Sequence, residues 1–151
     1  MMLSSVLARN FCQVSAVLRR TTFESACRTI TTSSPKYGDN EVTYLQLKTM
    51  LSKHDIQLFD VRNPDEYQAG HISDAVNIPL GKLEESLKLS PEHFEQKFKV
   101  KAPGKDDDNI VFQCKSGNRS LKALGIAYQL GFSRARHYKG GYTEWVEKKG
   151  K

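Results

Sequence analysis

The sequence predicts an α/β domain: an open, mostly parallel sheet of about five strands with helices on both faces. Three observations lead there. Short β-rich runs alternate with stretches that repeat at helical spacing, the pattern of strands joined by crossover helices. One run, "IVFQC" (110–114), is apolar almost throughout, as a strand covered on both faces must be. The 151 residues suffice for one domain with a proper core and are too few for two ordinary ones.

The elements follow in order. "EVTYLQLKTMLSKHD" opens the domain as a helix, with Thr43 and Gln46 at capping-box spacing and Val42 able to staple onto Leu47. "IQLFDVR" (56–62) is a strand ending in charge, and Asn63 and Pro64 then begin a brief helical turn through Tyr67. "AVNIPL" (75–80) is a strand stopped by Pro79, and residues 81–100 form one or two amphipathic helices broken near Pro91. "APGKDDDN" (102–109) is a solvated turn, since its acids lack the spacing and the glycine of a calcium loop. After "IVFQC", a helix from Ser120 to Leu130 sets Leu121, Leu124, Ala127 and Tyr128 on one side, with Ile126 and Leu130 widening the stripe, and Gly131 ends it as a left-handed cap. "ARHYKGG" (135–141) supplies a last short strand and a glycine turn, and "YTEWVEKK" a closing helix whose Trp145 and Tyr142 are core packing.

The first 34 residues differ from the rest. They hold four Arg, one Glu, eleven Ser or Thr and no Lys or Asp. Leu3, Val6, Leu7, Phe11, Val14, Val17 and Leu18 fall in an arc of about 140° at helical spacing, with Arg9, Arg19 and Arg20 outside it. A basic amphipathic helix of this composition predicts a cleaved mitochondrial presequence over residues 1–34, with a matrix destination and the domain over 35–151. Interrupted apolar runs speak against a secretory signal, and no stretch reaches the length of a membrane span. The net charge of +6 divides evenly between leader and domain, without a basic stripe, so neither nucleic acid nor membrane is an expected partner.

Cys12 and Cys27 would depart with the leader, leaving Cys114 as the sole domain cysteine. It stands where a strand gives way to a helix, the edge of an open α/β sheet at which ligands bind. From Cys114 to Arg119 the chain must turn within six residues, and Gly117 allows a conformation in which amide N–H groups point inward at one atom. The following helix adds its positive end, and Lys115 and Arg119 add full charges. Together these favour an exposed thiolate at Cys114 without a partner base. None of the four histidines lies in or beside this loop in sequence. A packing cysteine is the plainer alternative, but Lys, Ser, Gly, Asn and Arg make a poor apolar wall. No metal-ligand cluster or nucleotide phosphate loop is present, and no cofactor is called for.

"DVRNPDEYQAGHISDAVNIPL" (60–80), "CKSGNR" (114–119) and "YKGGYTEW" (138–145) resemble, in order, three signatures of a single-domain rhodanese, over roughly residues 40–149. The resemblance implies a sulfurtransferase in which Cys114 takes a sulfane sulfur from thiosulfate or a persulfide donor and passes it to a thiol such as glutathione, to cyanide, or to a sulfur-accepting protein. It further implies that Lys115, Ser116, Gly117, Asn118 and Arg119 form the substrate-binding loop. Arg119 either attracts a sulfonate-bearing donor or braces the loop against a carboxylate such as Asp60. Asp60, Arg62, Glu66, Gly70 and His71 match the upstream signature; Asp60 and Arg62 are read as supporting residues and His71 as a hydrogen-bonded structural one. Two other functions compete. A non-catalytic binding module of the same family often lacks the nucleophile, which is present here, and the related phosphatases carry one more residue between cysteine and arginine.

Overall fold

In the computed structural model, which describes residues 40–149, the domain is a five-stranded, wholly parallel sheet flanked by helices. The elements are β1 (Glu41–Val42), α1 (Tyr44–Ser52), β2 (Gln57–Asp60), α2 (Pro64–Ala69), β3 (Val76–Asn77), α3 (Leu80–Leu87), α4 (Pro91–Phe98), β4 (Ile110–Gln113), α5 (Asn118–Gln129), β5 (Arg136–Tyr138) and α6 (Gly141–Lys149). The order across the sheet is β1-β5-β4-β2-β3, so β4 lies at the centre with Asp60 of β2 in register with Gln113. The expected presequence lies outside the described residues.

The continuous apolar runs of β2 and β4 have a simple cause: successive side chains enter two different cores. Phe59, Val61 and Phe112 face one side and pack with Leu83 of α3, Phe94 of α4 and Ala123, Leu124 and Ala127 of α5. Leu58, Val111 and Tyr138 face the other, against Leu47 and Leu51 of α1, Ile72, Ala75 and Trp145 of α6. All four residues of β4 are buried. Helices therefore cover both faces, as the alternation requires.

Local chemistry sets most boundaries. Thr43 and Gln46 form the expected reciprocal capping box, with Thr43 N–H donating to Gln46 Oε1 at 2.9 Å. Pro91 divides the amphipathic stretch into α3 and α4, with Ser90 capping the second. Gly131, at φ +95°, turns the chain after α5, and Phe132 N–H reaches back to Ala127 O at 3.0 Å.

Two expectations are corrected. The sequence located no strand at 41–42, yet Glu41 and Val42 pair with His137 and Tyr138; two residues carry too little alternation to be read. On α5 the buried stripe is Ser120, Ala123, Leu124 and Ala127, whereas Leu121 is 51% exposed. The spacing is still helical, but the face was misjudged by weighting hydrophobicity over size. Small side chains let α5 lie close against the sheet, and the larger Leu121 is turned outward.

Candidate active site

Cys114 is the first residue after β4, and the loop from it to Gly117 joins the central strand to α5. Gly117 takes φ +94°, which turns its N–H onto Cys114 Sγ at 3.0 Å. A side chain at this position would be strained by that φ and would drive into the Lys139 carbonyl. Gly117→Ala is accordingly expected to cost more than about 1 kcal/mol in a urea melt and to displace the amide from the sulfur. An unchanged melting midpoint together with unchanged activity would contradict this.

The loop is fastened from behind by α6. Tyr142 N–H donates to Cys114 O at 2.7 Å and Thr143 N–H to Lys115 O at 3.1 Å. With these carbonyls drawn to the amino end of α6, the sulfur meets the amide of Gly117, one N–H where the sequence expected several. This is the physical role of "YKGGYTEW": its first turn anchors the Cys114 loop.

The sulfur is less open than the sequence suggested. Cys114 is 1% exposed, so the expected exposed thiolate is corrected to a sulfur held at the bottom of its cradle. Cys114 packs in the same core as Phe59, Val61, Phe112 and Ala123, and the turn sets the amide of Gly117 against Sγ. Lys115, Ser116 and Asn118 are exposed and form the rim, Gly117 is buried, and Arg119 is half-buried.

Arg119 braces the loop, and its partner is Glu66 rather than Asp60. Its guanidinium donates to both carboxylate oxygens, at 2.7 and 3.0 Å. The same carboxylate accepts from Asn63 N–H at 3.1 Å, which ties the start of α2 to the Cys114 loop. The Arg119 hydrogen bond holds the Glu66 carboxyl down at about 2 and pushes the guanidinium up. Because the folded value lies below the unfolded one of 4.5, the contribution is complete above pH 4.5 and is lost as pH falls towards about 2. Glu66→Gln should therefore flatten the acid limb of stability against pH while changing neutral stability by no more than about 1 kcal/mol. An identical acid limb in both proteins would refute the assignment.

Asp60 is occupied by Arg62. Arg62 Nε lies 2.9 and 3.0 Å from the two Asp60 oxygens and Nη2 lies 2.7 Å from Oδ2, with Asp60 fully buried. Arg62 Nη2 also donates to Gly70 O at 2.8 Å, and the guanidinium sits 4.3 Å from the Tyr142 ring. Asn77 Nδ2 donates to the carbonyls of Asp60 and Arg62, at 3.1 and 3.0 Å. The upstream signature thus ties the edge of β2 to β3 and to α6. His71 Nδ1 donates to Tyr67 O at 3.0 Å, and the ring stacks on Tyr67. Trp145 is buried and tilted against Tyr44, with ring centroids 5.4 Å apart.

Two residues near the sulfur escaped the sequence reading. Ser120, fully buried in the first turn of α5, has its Oγ 3.7 Å from Cys114 Sγ. His137 of β5, 3% exposed, has Nδ1 3.1 Å from the same Oγ. Ser120 directly follows the loop and could have been suspected from that; His137 is brought in by strand pairing, which no local pattern announces. Among the described residues, no group of three metal-ligating side chains gathers anywhere.

The family model of the rhodanese-like domain matches residues 43–148. The chain belongs to the rhodanese-like domain family. Its fold superposes on the solved structure of a human single-domain sulfurtransferase with a TM-score of 0.70 at 39% identity, covering 74% of this chain and 98% of that one. It is 39% identical over 111 residues to human thiosulfate:glutathione sulfurtransferase, 74% of this chain and 96% of that protein. A Schizosaccharomyces pombe relative, 38% identical over 73% of this chain and 77% of its own length, has the word mitochondrial in its name. This rhodanese-like protein is a sulfurtransferase.

Proposed function

We propose that Cys114 is the sulfur carrier, taking a sulfane sulfur from thiosulfate or a persulfide donor and delivering it to a small thiol such as glutathione, with cyanide as an artificial acceptor. The observation that carries this reading is the Gly117 N–H aimed at Sγ from 3.0 Å, at the end of the central strand. The Cys114 thiolate attacks the outer sulfur of thiosulfate, an S–S bond forms, and the bond to the sulfonate sulfur breaks with its electron pair leaving on sulfite. The acceptor thiolate then attacks the bound sulfur and Cys114 leaves as thiolate. Each half is a displacement at sulfur, and dividing the transfer in two lowers each barrier.

The burial of Sγ suits this division. A persulfide would carry its reactive sulfur about 2 Å beyond Sγ, leaving Sγ its amide donor. With Arg119 engaged by Glu66, Lys115 is the exposed cation of the rim, and we assign it the attraction of the anionic donor. Ser116, Gly117 and Asn118 complete the binding loop, and Asp60 and Arg62 support it from β2. Four residues between Cys114 and Arg119 make a smaller cradle than a phosphoryl group with three oxygens needs, which disfavours phosphatase chemistry.

The test is intact-protein mass spectrometry after incubation with thiosulfate. A gain of one sulfur atom, removed by cyanide or glutathione, supports the assignment. Turnover of an aryl phosphate with no sulfur uptake would reverse it. The leader composition, with the name of the fission-yeast relative, also supports a mitochondrial destination. The full chain carrying a C-terminal tag is expected in the matrix fraction, shortened at its amino end; a full-length cytosolic product would overturn this.

A further inference from the structure

The Ser120 hydroxyl has one hydrogen and two lone pairs, and three polar neighbours compete for them. Its Oγ lies 2.9 Å from Gly117 O, 3.1 Å from His137 Nδ1 and 3.7 Å from Cys114 Sγ. Gly117 O can only accept. Were Nδ1 also an acceptor, two groups would compete for a single hydrogen and the cluster would hold one hydrogen bond fewer, although Gly117 O would stay paired through Leu121 N–H at 3.1 Å. With the ring hydrogen on Nδ1, every demand is met: His137 donates to Oγ, Ser120 donates to Gly117 O, and a neutral Cys114 thiol donates weakly to the second lone pair. The count of hydrogen bonds favours the Nδ1–H tautomer.

His137 is held neutral by its surroundings. Burial is the largest influence and moves its titration below 6.5; Glu41 opposes this and Lys139 reinforces it. Glu41 faces His137 from β1 and Lys139 lies on its own strand, and the two pair with each other at 3.3 Å. Ser120 and Tyr128 approach from α5, and Phe112 is its partner on β4. Ser120 is thus the polar group in direct contact with the ring, and at neutral pH the ring acts as a fixed donor.

When Cys114 becomes a thiolate it loses its hydrogen and turns into a strong acceptor. Gly117 O also accepts from Leu121 N–H at 3.1 Å, so it can release the serine hydrogen and stay paired. We propose that Ser120 is a two-position donor for the Cys114 sulfur, its hydrogen on Gly117 O while the sulfur is neutral or bonded to a second sulfur and on Sγ when the sulfur is expelled as thiolate, with His137 positioning the oxygen throughout. In the delivering half-reaction, the acceptor thiolate's pair forms a bond to the outer sulfur, and the pair of the Sγ–S bond departs onto Sγ. Ser120 rotates its O–H to that new charge without giving up the proton. Ser120 is then a catalytic residue touching a reacting atom, and His137 a positioning residue acting through it.

This inference rests on Cys114 as the sulfur carrier, and the experiment separates the two. Protein loaded from thiosulfate is mixed with glutathione, and the decay of the sulfur adduct is followed in a single turnover by quenched mass spectrometry. Ser120→Ala is expected to load fully and to unload about tenfold or more slowly, the loss of one hydrogen bond to a charged sulfur. His137→Leu should slow unloading several-fold. His137→Asn, whose amide N–H can take the place of Nδ1–H, should restore most of the rate. In the Ser120→Ala background, His137→Leu should change nothing further, because its effect runs through the missing hydroxyl. An unaltered unloading rate in loaded Ser120→Ala, or full additivity of the pair, overturns the inference and leaves the carrier role of Cys114 intact. A wild-type chain that takes up no sulfur removes both. Ring nitrogen NMR of the wild-type protein gives a check that needs no variant: a protonated Nδ1 is expected, and a proton on Nε2 alone would overturn the relay.

Discussion

Replacing Cys114 by serine is expected to abolish sulfur uptake from thiosulfate and to lower turnover on the order of 10⁴-fold or more, with the fold intact. A hydroxyl in that position still accepts the Gly117 N–H, so the loop keeps the hydrogen bond that shapes it. What disappears is the nucleophile. A serine oxygen is a weak one unless a neighbouring base removes its proton, and the contact on the far side of the sulfur is Ser120, itself a hydroxyl. The variant should melt close to the wild type, which separates lost chemistry from lost structure. Mass spectrometry settles the point: a sulfur adduct on the Cys114→Ser chain would mean that another group carries the sulfur, and the assignment would fall.

The largest stability effect is expected at Arg62. Arg62→Met leaves the Asp60 carboxylate fully buried without its partner, and breaking such a pair on one side costs about 3–5 kcal/mol. The penalty arises from the charge left behind more than from the attraction lost. Gly70 O loses a donor at the same time, and the cation leaves the face of Tyr142. Removing both partners, Asp60→Leu with Arg62→Met, should recover a large part of the loss, since no uncompensated charge then remains. Urea midpoints of the wild type, the single variant and the double variant give the comparison. A single variant within about 1 kcal/mol of the wild type, or a double variant no more stable than the single one, would contradict this account.

These two residues illustrate different kinds of legibility. The Cys114 loop could be read because everything that marks it is contiguous: an apolar strand, a cysteine, a glycine able to reach positive φ, and a helix beginning at once. The structure keeps that order, with β4, the Gly117 turn and α5 in succession. Turn chemistry and caps were equally readable at Thr43, Pro91 and Gly131, since each depends on neighbours within four residues. The exposure of the sulfur was not, because burial depends on how tightly the turn closes over it.

Partners distant in sequence behaved differently. The sequence left Arg119 two roles, attracting an anionic donor or bracing the loop on a carboxylate; it meets a carboxylate, and the choice of Glu66 over Asp60 depends on where α2 delivers its side chain across 53 residues of chain. Asp60, at the end of β2, had already been taken by Arg62 two residues on. Leu121 was assigned to the core by its hydrophobicity, and close approach of α5 to the sheet favoured Ser120 and Ala123 instead.

From the order of residues alone came the α/β class, the number and type of most elements, the Cys114 loop as candidate site and the family resemblance, because periodicity, turn chemistry and a contiguous loop are local properties of the chain. Which arginine meets which acid, how deep the sulfur lies, and the meeting of Ser120 with His137 came only with the packed sheet. Those contacts are set by strand order and register, which bring together groups whose separation along the chain has no periodic signature.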